Sequence, residues 1–274
     1  MAELSAAQVM ALRKKTGLPM MECKQALTEC NGDETAAVEW LSKKHKGKME
    51  SRSDRETGEG RIGIYIDQSG TTGGIVELRC ETAPVGKNEV FIELANDLAR
   101  HVAEGSESAP DGASVKEAMD KRMTEVYGKL QEAMNIGTCR KLSGDALTYY
   151  VHHDGKSGVL IALNGKPADA EVGKNLAMHV TFHKPLAIDR DGVPADQIEK
   201  VRKDAIDMAK EEGKPEQVID KIAEGRVSAF VSENALMEQE HARTDLYGRK
   251  KVKDVLAEHG VTGISEMAYV AISA

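Results

Sequence analysis

The sequence predicts an α+β protein: three N-terminal helices, then two related subdomains with antiparallel sheets, the second carrying an inserted helical hairpin. Three observations predict it. Apolar residues recur at helical spacing over residues 5–43, interrupted by two turn signals. A hairpin-plus-helix pattern is written twice, IYIDQSGTTGGIVEL with LARHV at residues 98–102 and TYYVHHDGKSGVLIAL with LAMHV at 176–180. Between Pro194 and Phe230, two helical runs flank Gly213-Lys214-Pro215.

In chain order, helices are expected over Ala6–Thr16, Met20–Cys30 after Gly17-Leu18-Pro19, and Glu34–Lys43 after Asn31-Gly32-Asp33. Gly32 suits a helix end and Asp33 an N-cap. Leu12, Met21, Ala26, Leu27, Ala37, Val38, Trp40 and Leu41 would supply a small core, close to the lower size limit for independent folding. Met20 and Met21 begin the second helix, where adaptable thioethers suit either that core or a protein-binding surface. Residues 44–60, KHKGKMESRSDRETGEG, carry one large apolar side chain, Met49, and read as a linker. The partition expected is therefore 1–44, linker 45–60, first subdomain 61–138 and second subdomain 139–274.

In the first subdomain a strand rich in β-branched residues leads through CETAPVGKNEVF into a helix with Val90, Phe91, Leu94, Ala95, Leu98, Ala99 and Val102 at helical spacing. Asn88 is its expected N-cap, and Pro84 biases Ala83 toward an extended conformation. A long helix is expected over Val115–Met134. In the second, Ile198, Val201, Ala205 and Met208 are expected to face Val218, Ile222 and Phe230 along an antiparallel hairpin at about 194–230. A helix near Lys250–His259 and a strand near Ile264–Ile272 complete it.

The 274 residues carry a formal net charge of -8, 41% apolar and 4% aromatic residues. That balance disfavours phosphate-driven nucleic-acid binding and base-stacking platforms. The first residues hold no apolar run of signal-peptide length, and no stretch of about 18 apolar residues occurs, so no membrane partner and a cytoplasmic location are expected. Cys23, Cys30, Cys80 and Cys139 show no paired spacing, which points to idle or buried thiols.

Several motifs fail. GEGRIG at 58–63 spells the dinucleotide pattern but follows a linker and opens a strand, so its amides have no helix N-terminus to join. Gly155-Lys156-Ser157 is a hairpin turn, since a phosphate loop would need a glycine where Tyr150 stands. His179 and His183 share a helix face without a third ligand, and His101 repeats His179, which favours packing for both. No nucleophile elbow, kinase or deaminase pattern is present. No catalytic residue, metal or cofactor is expected, and the chain is not read as an enzyme.

LRKKTGLPMMECKQALTECNGDETAAVEWL resembles a ubiquitin-associated three-helix module and, more specifically, the signature of the bacterial elongation factor Ts family. The resemblance continues through CETAPVGKN, GDALTYYVHHDGKSGVLIAL, LAMHV and EEGKPEQVIDKIAEGR, nearly the whole chain. It implies a coiled-coil insertion and a guanine-nucleotide exchange factor that binds GDP-bound elongation factor Tu. Such a factor disturbs the GTPase's magnesium and phosphate sites, so that GDP leaves for GTP, without binding nucleotide itself. Partner-binding residues implied are Arg13, Thr16, Gly17, Met20, Met21 and Lys24; Glu81, Thr82, Ala83, Pro84, Val85 and Lys87; and Tyr150 with His152 at a strand end.

The sequence departs from the family in places. The family's Thr-Asp-Phe-Val is Thr82-Ala83-Pro84-Val85 here, so the acid and the aromatic wedge are missing. In ALMEQEHART, Leu236 and Gln239 match the pattern Leu-x-x-Gln-Pro-Phe, but Glu240 and His241 follow. The helix that some members carry after the last strand has no counterpart before Ala274. These departures raise an alternative, a binding protein or holdase with weak or no exchange activity. A ubiquitin-associated adaptor is a third reading and leaves two subdomains unexplained.

Overall fold

A computed structural model describes residues 4–272. Helix α1 (Ala6–Thr16) opens with a capping box: Ser5 and Gln8 satisfy each other's backbone amides, so two of the first-turn donors find partners. It stops at Gly17, whose left-handed φ of 71° lets its amide cap the Arg13 carbonyl. Helix α2 (Met20–Glu29) follows Pro19, and α3 (Glu34–Glu50) starts at Asp33, whose side chain accepts from Ala36 N at 3.0 Å. Val9, Leu12, Leu18, Cys23, Ala26, Leu27, Ala37 and Leu41 form their shared core. Met21 is no part of it, being 73% exposed.

Helix α3 does not end at Lys43. It runs on to Glu50, so the first turns of the stretch read as a linker are helical, and only residues 51–58 are irregular. His45 and Met49, four apart, are buried on one helix face, and Met49 enters the apolar cluster of the next segment. A stripe of two residues is too sparse to stand out in a polar composition.

Strand β1 (Glu59–Ile66) pairs antiparallel with β2 (Thr72–Cys80). A one-turn helix α4 (Ala83–Gly86) leads to α5 (Glu89–Glu104), then α6 (Gly112–Ala118), α7 (Asp120–Leu130) and β3 (Met134–Ser143), which pairs with the other side of β2. The expected helix over Val115–Met134 is thus two helices that break at Met119, and Gln131 ends the second at a φ of 58°. A boundary at 138/139 would cut through β3. That strand buries only Met134, Cys139 and Leu142, too few for a strand period to show.

The pattern then repeats. Strands β4 (Ala146–Val151) and β5 (Ser157–Asn164) form a hairpin, and α8 (Ala170–His183) takes the place of α5. Helices α9 (Ala195–Glu211) and α10 (Glu216–Asn234), a 3-10 turn at Leu236–Glu238, α11 (Thr244–Tyr247) and α12 (Val252–Glu258) precede β6 (Gly263–Ala271), which pairs with β5. The α9–α10 seam is made by Ala205 and Ala209 against Ile219, Ala223, Val227 and Val231, while Met208 and Val218 are 54% and 38% exposed. The expected seam thus holds at Ala205 and at Ile198, Val201 and Phe230, which pack against the cluster of Val227 and Val231, and fails at Met208 and Val218, whose neighbours Ala209 and Ile219 are buried instead.

The two sheets lie face to face. Ile62, Ile75 and Leu142 of one meet Leu160, Ala162, Ala268 and Val270 of the other, while Val76 and Leu78 face α5 and Val159, Ile161 and Leu163 face α8. The alternation of strand side chains thus feeds two apolar layers at once. Backbone bonds also cross the junction, from Ile62 N to Gly155 O and from Leu147 N to Gly70 O, both at 2.8 Å.

Helix α5 sits so low on its sheet that a Cβ at Gly63 or Gly74 would run into the carbonyl oxygens of Ala95 and Ala99. Within GEGRIG, Gly60 and Gly63 accordingly serve backbone approach, to β2 and to α5, whereas Gly58 has nothing within 4 Å. The cysteines are free thiols; burial pushes Cys80 up to about 12 and Cys139 up to about 11, so neither is a ready nucleophile.

Replacing Gly63 by Ala is expected to lower unfolding stability by about 1–3 kcal/mol, because α5 must lift from the sheet to admit a methyl group. Denaturant unfolding beside an exposed control, Gly225→Ala, checks it: Gly225 has nothing within 4 Å of the added carbon, and equal midpoints for the two variants would refute the close-packing account.

Candidate partner-binding surface

The residues predicted from the sequence fall in three groups: the α1–α2 turn, the segment around α4, and the end of β4. At the first, Met20 and Met21 are 46% and 73% exposed at the start of α2, and Arg13 and Lys24 are exposed beside the same turn. Thr16 turns inward. Its hydroxyl donates to Leu12 O at 2.8 Å and accepts from Leu18 N at 3.3 Å, so it shapes the turn. Gly17 supplies the left-handed residue that the turn requires.

The second group is residues 81–87. Ala83 is not extended; it begins α4, and the extended residue is Thr82, at φ -130° and ψ 148°. Pro84 stands in the first turn of α4, where an amide would have no helical partner anyway. Glu81 is engaged: it accepts from Ala133 N at 2.7 Å and from Arg55, and the Ala133 amide, with Arg55, holds its carboxyl below the usual range. Thr82 bonds Glu132 through both its amide and its hydroxyl, at 3.0 and 2.6 Å. Val85 packs on the Met49–Phe91 cluster. The residues that the segment presents outward are Thr82, Pro84 and Lys87, and of these Pro84 and Lys87 have side chains not tied to Glu132. Asn88 is the N-cap of α5, accepting from Val90 N at 2.9 Å.

At the third, the end of β4, Tyr150 and His152 project to the same side. The Tyr150 hydroxyl lies 3.5 Å from His152 Nδ1, with the rings near perpendicular at 6.2 Å. They border a cleft of about 420 Å³ whose other margin is Phe182, at 78% the most exposed large apolar side chain among the described residues. Phe182 was missed from the sequence, although a signal existed: the buried stripe of α8 is Val172, Leu176, His179 and Val180, and residue 182 falls off it.

Behind this surface lies a histidine cluster. His179 Nε2 meets Gln239 Oε1 at 2.8 Å and its Nδ1 accepts from Ala242 N at 3.0 Å, so both ring nitrogens are spent and the ring is held neutral. His241 stacks 5.3 Å from His179 and meets Tyr247 edge-on at 4.6 Å. Burial pushes His179 and His241 down to about 4, with Arg243 adding to the effect at His241, and burial lowers the more exposed His183 as well. His101 does not share the packing of His179; it is half-buried beside a different cavity. Among the described residues no helix is long and apolar enough to cross a membrane.

A family model described as "Elongation factor TS" matches residues 81–273. A protein named Elongation factor Ts from Clostridium botulinum (strain ATCC 19397 / Type A) is 40% identical over 248 residues, covering 86% of this chain and 81% of that protein. Proteins of the same name from Azoarcus sp. (strain BH72) and Bordetella avium (strain 197N) are 37% and 38% identical, each across 98% of this chain and 91% and 92% of their own lengths.

The buried histidines generate a pH prediction. A folded value near 4 lies below the unfolded value of about 6.5, so folding favours the neutral ring. Above pH 6.5 neither state binds the proton and stability is level; from about 6.5 down to about 4 the unfolded chain takes up protons that the fold refuses, and stability falls. The loss should be on the order of 1–3 kcal/mol per ring. His241→Phe, which keeps an aromatic ring and removes a titrating group, is expected to make the decline in this window shallower. Urea titrations at pH 7, 6 and 5 measure it, and parallel declines for the two proteins would refute the assignment.

Proposed function

The chain belongs to the elongation factor Ts family, and on that premise we propose that it is the guanine-nucleotide exchange factor of elongation factor Tu, acting in the cytoplasm without making or breaking bonds. The observation that carries the proposal is the family match over residues 81–273 and the likeness to a family member across 98% of the chain, joined to exposed Met20, Met21, Pro84 and Lys87 and to the half-buried pair Tyr150 and His152 at the end of β4. Residues 4–50 form a docking module of ubiquitin-associated type, 59–143 and 146–272 form the two subdomains, and α9–α10 is a coiled-coil arm.

Exchange follows from linkage. A protein that binds the nucleotide-free GTPase more tightly than its GDP complex lowers GDP affinity by the same factor, whatever the route. Met20, Met21, Arg13 and Lys24 anchor the module to the GTPase. The turn at 83–87 is brought against the nucleotide site, where the magnesium and phosphate contacts are disturbed. Glu81 and Thr82, tied to Ala133 and Glu132, hold that turn in place, and Pro84 and Lys87 make the contact. No part of this needs nucleotide, metal or nucleic acid bound to the factor itself.

A second reading, binding with little exchange, draws on one observation: where the family has an acid and an aromatic wedge, Ala83 and Pro84 offer little volume. Release of fluorescent GDP from elongation factor Tu separates the two. Acceleration by this chain supports exchange; tight binding with no acceleration refutes it in favour of the second reading.

Met21→Glu is expected to weaken association about tenfold or more, as for an interface hot spot, while the melting temperature holds because the side chain is 73% exposed. The pair Ala83→Asp with Pro84→Phe should raise the GDP release rate at saturating factor; an unchanged or slower rate would show that the turn does not limit exchange.

A further inference from the structure

Helix α8 is too short for the sheet it covers. Tyr150, Val159 and Tyr269 are cross-strand partners in one row of β4-β5-β6. Val159 is fully buried under the helix side of the sheet, whereas the two tyrosines on either side are only partly covered. The helix ends there: Lys184, at a left-handed φ of 47°, turns the chain away and its amide closes on Val180 O. The outcome is the cleft of about 420 Å³, with the tyrosines as floor and Met178, Phe182 and Lys184 as one wall.

Two properties of this cleft bear on what enters it. Its lining is mostly aromatic and apolar, with Ser157 and Thr181 among it, and Phe182 is left 78% exposed, its ring centroid 5.0 Å from that of His183 but outside the apolar clusters of the described residues. Its charge is cationic: Lys184, poised 5.7 Å over the Tyr269 ring, is the charged group on the wall, and among the described residues no carboxylate lines the cleft, on a protein whose net charge is -8. A tyrosine floor beside a wall of Met178 and Phe182, with a cation at its lip, is complementary to an apolar side chain with a carboxylate beside it.

We propose that Phe182 and Lys184 are partner-binding residues, and that with Tyr150 and Tyr269 they receive an apolar side chain of the GTPase flanked by an acidic residue. The inference rests on the exchange-factor reading and extends the Tyr150–His152 contact onto α8. Phe182 supplies the apolar contact and lengthens the lifetime of the complex, whereas Lys184 orients the incoming acid and speeds encounter.

The test uses the full chain and nucleotide-free elongation factor Tu, with affinity read by titration and folding by thermal melting. Phe182→Ala is expected to weaken binding about tenfold, mainly through faster dissociation, with an unchanged melting temperature. Phe182→Leu should retain most of the affinity. Lys184→Glu should slow association and flatten its dependence on salt. Phe182→Ala binding within about twofold of the parent, while the parent still accelerates GDP release, overturns the cleft assignment alone. A lowered melting temperature with intact affinity also overturns it, since the ring would then be packing its own fold. A parent chain that neither binds nor accelerates release overturns the exchange-factor reading, and this assignment with it.

Discussion

The contact between the two sheets is the constraint from which the rest of the architecture follows. Each central strand, β2 and β5, is buried on both faces, one against the opposite sheet and one against a helix. Such a strand has no outward face to spend on polar residues, which is why GGIVEL and GVLIAL are nearly unbroken apolar runs. The exception is Glu77, and it is matched: its carboxylate takes Arg79 Nε at 2.6 Å and Thr138 N at 3.1 Å, as a buried charge requires. With both faces occupied, the surfaces left for a partner are the strand ends, the connecting turns and the outer modules.

The outer helices are anchored to this core in different ways. The inserted arm is fastened at its base. Gln239 spans from His179 on α8 to Glu233 O on α10, Leu186 N donates to Asn234 O, and Met237 N to Ile188 O. These are backbone-rich, shielded contacts, and the neutral histidines among them avoid placing a charge where no counter-charge is available. Farther out the arm is held only by its own alanine-lined seam and by surface pairs such as Arg202 with Glu224, which add little stability in water.

The N-terminal helices are anchored through α3, which belongs to two cores. Its first half completes the three-helix cluster through Ala37 and Leu41, and its last turn gives Met49 to the cluster around Phe91 and Tyr127. Between them His45 contacts Glu22 at 2.9 Å and lies so close to Gly128 on α7 that a Cβ there would strike its ring. Lys46 with Asp120 and Arg52 with the Gln131 carbonyl add polar contacts across the same junction. Met20 and Met21 are thereby carried on a module whose third helix is continuous with the first subdomain's packing, which restricts the angles at which the docking face can be offered.

Much of this was legible in the residues themselves. Local signals sufficed where the chemistry is local: Asp33 and Asn88 as caps, the break at Gly17-Leu18-Pro19, the two hairpins and the helical period of LAMHV all follow from backbone satisfaction and period. The family likeness was legible too, because its signature residues are contiguous. Tertiary structure alone decided the features that depend on what lies across a gap. Met49 looks like a stray apolar residue until α7 and Phe91 stand opposite it; β3 reveals itself only through β2; Glu81 and Thr82 look available until Ala133 and Glu132 arrive from the end of α7. Phe182 is the converse case, since a phenylalanine is exposed or buried according to where its helix ends relative to the sheet beneath. Sequence period states which side chains share a face, but only the packing of distant segments states whether anything covers it.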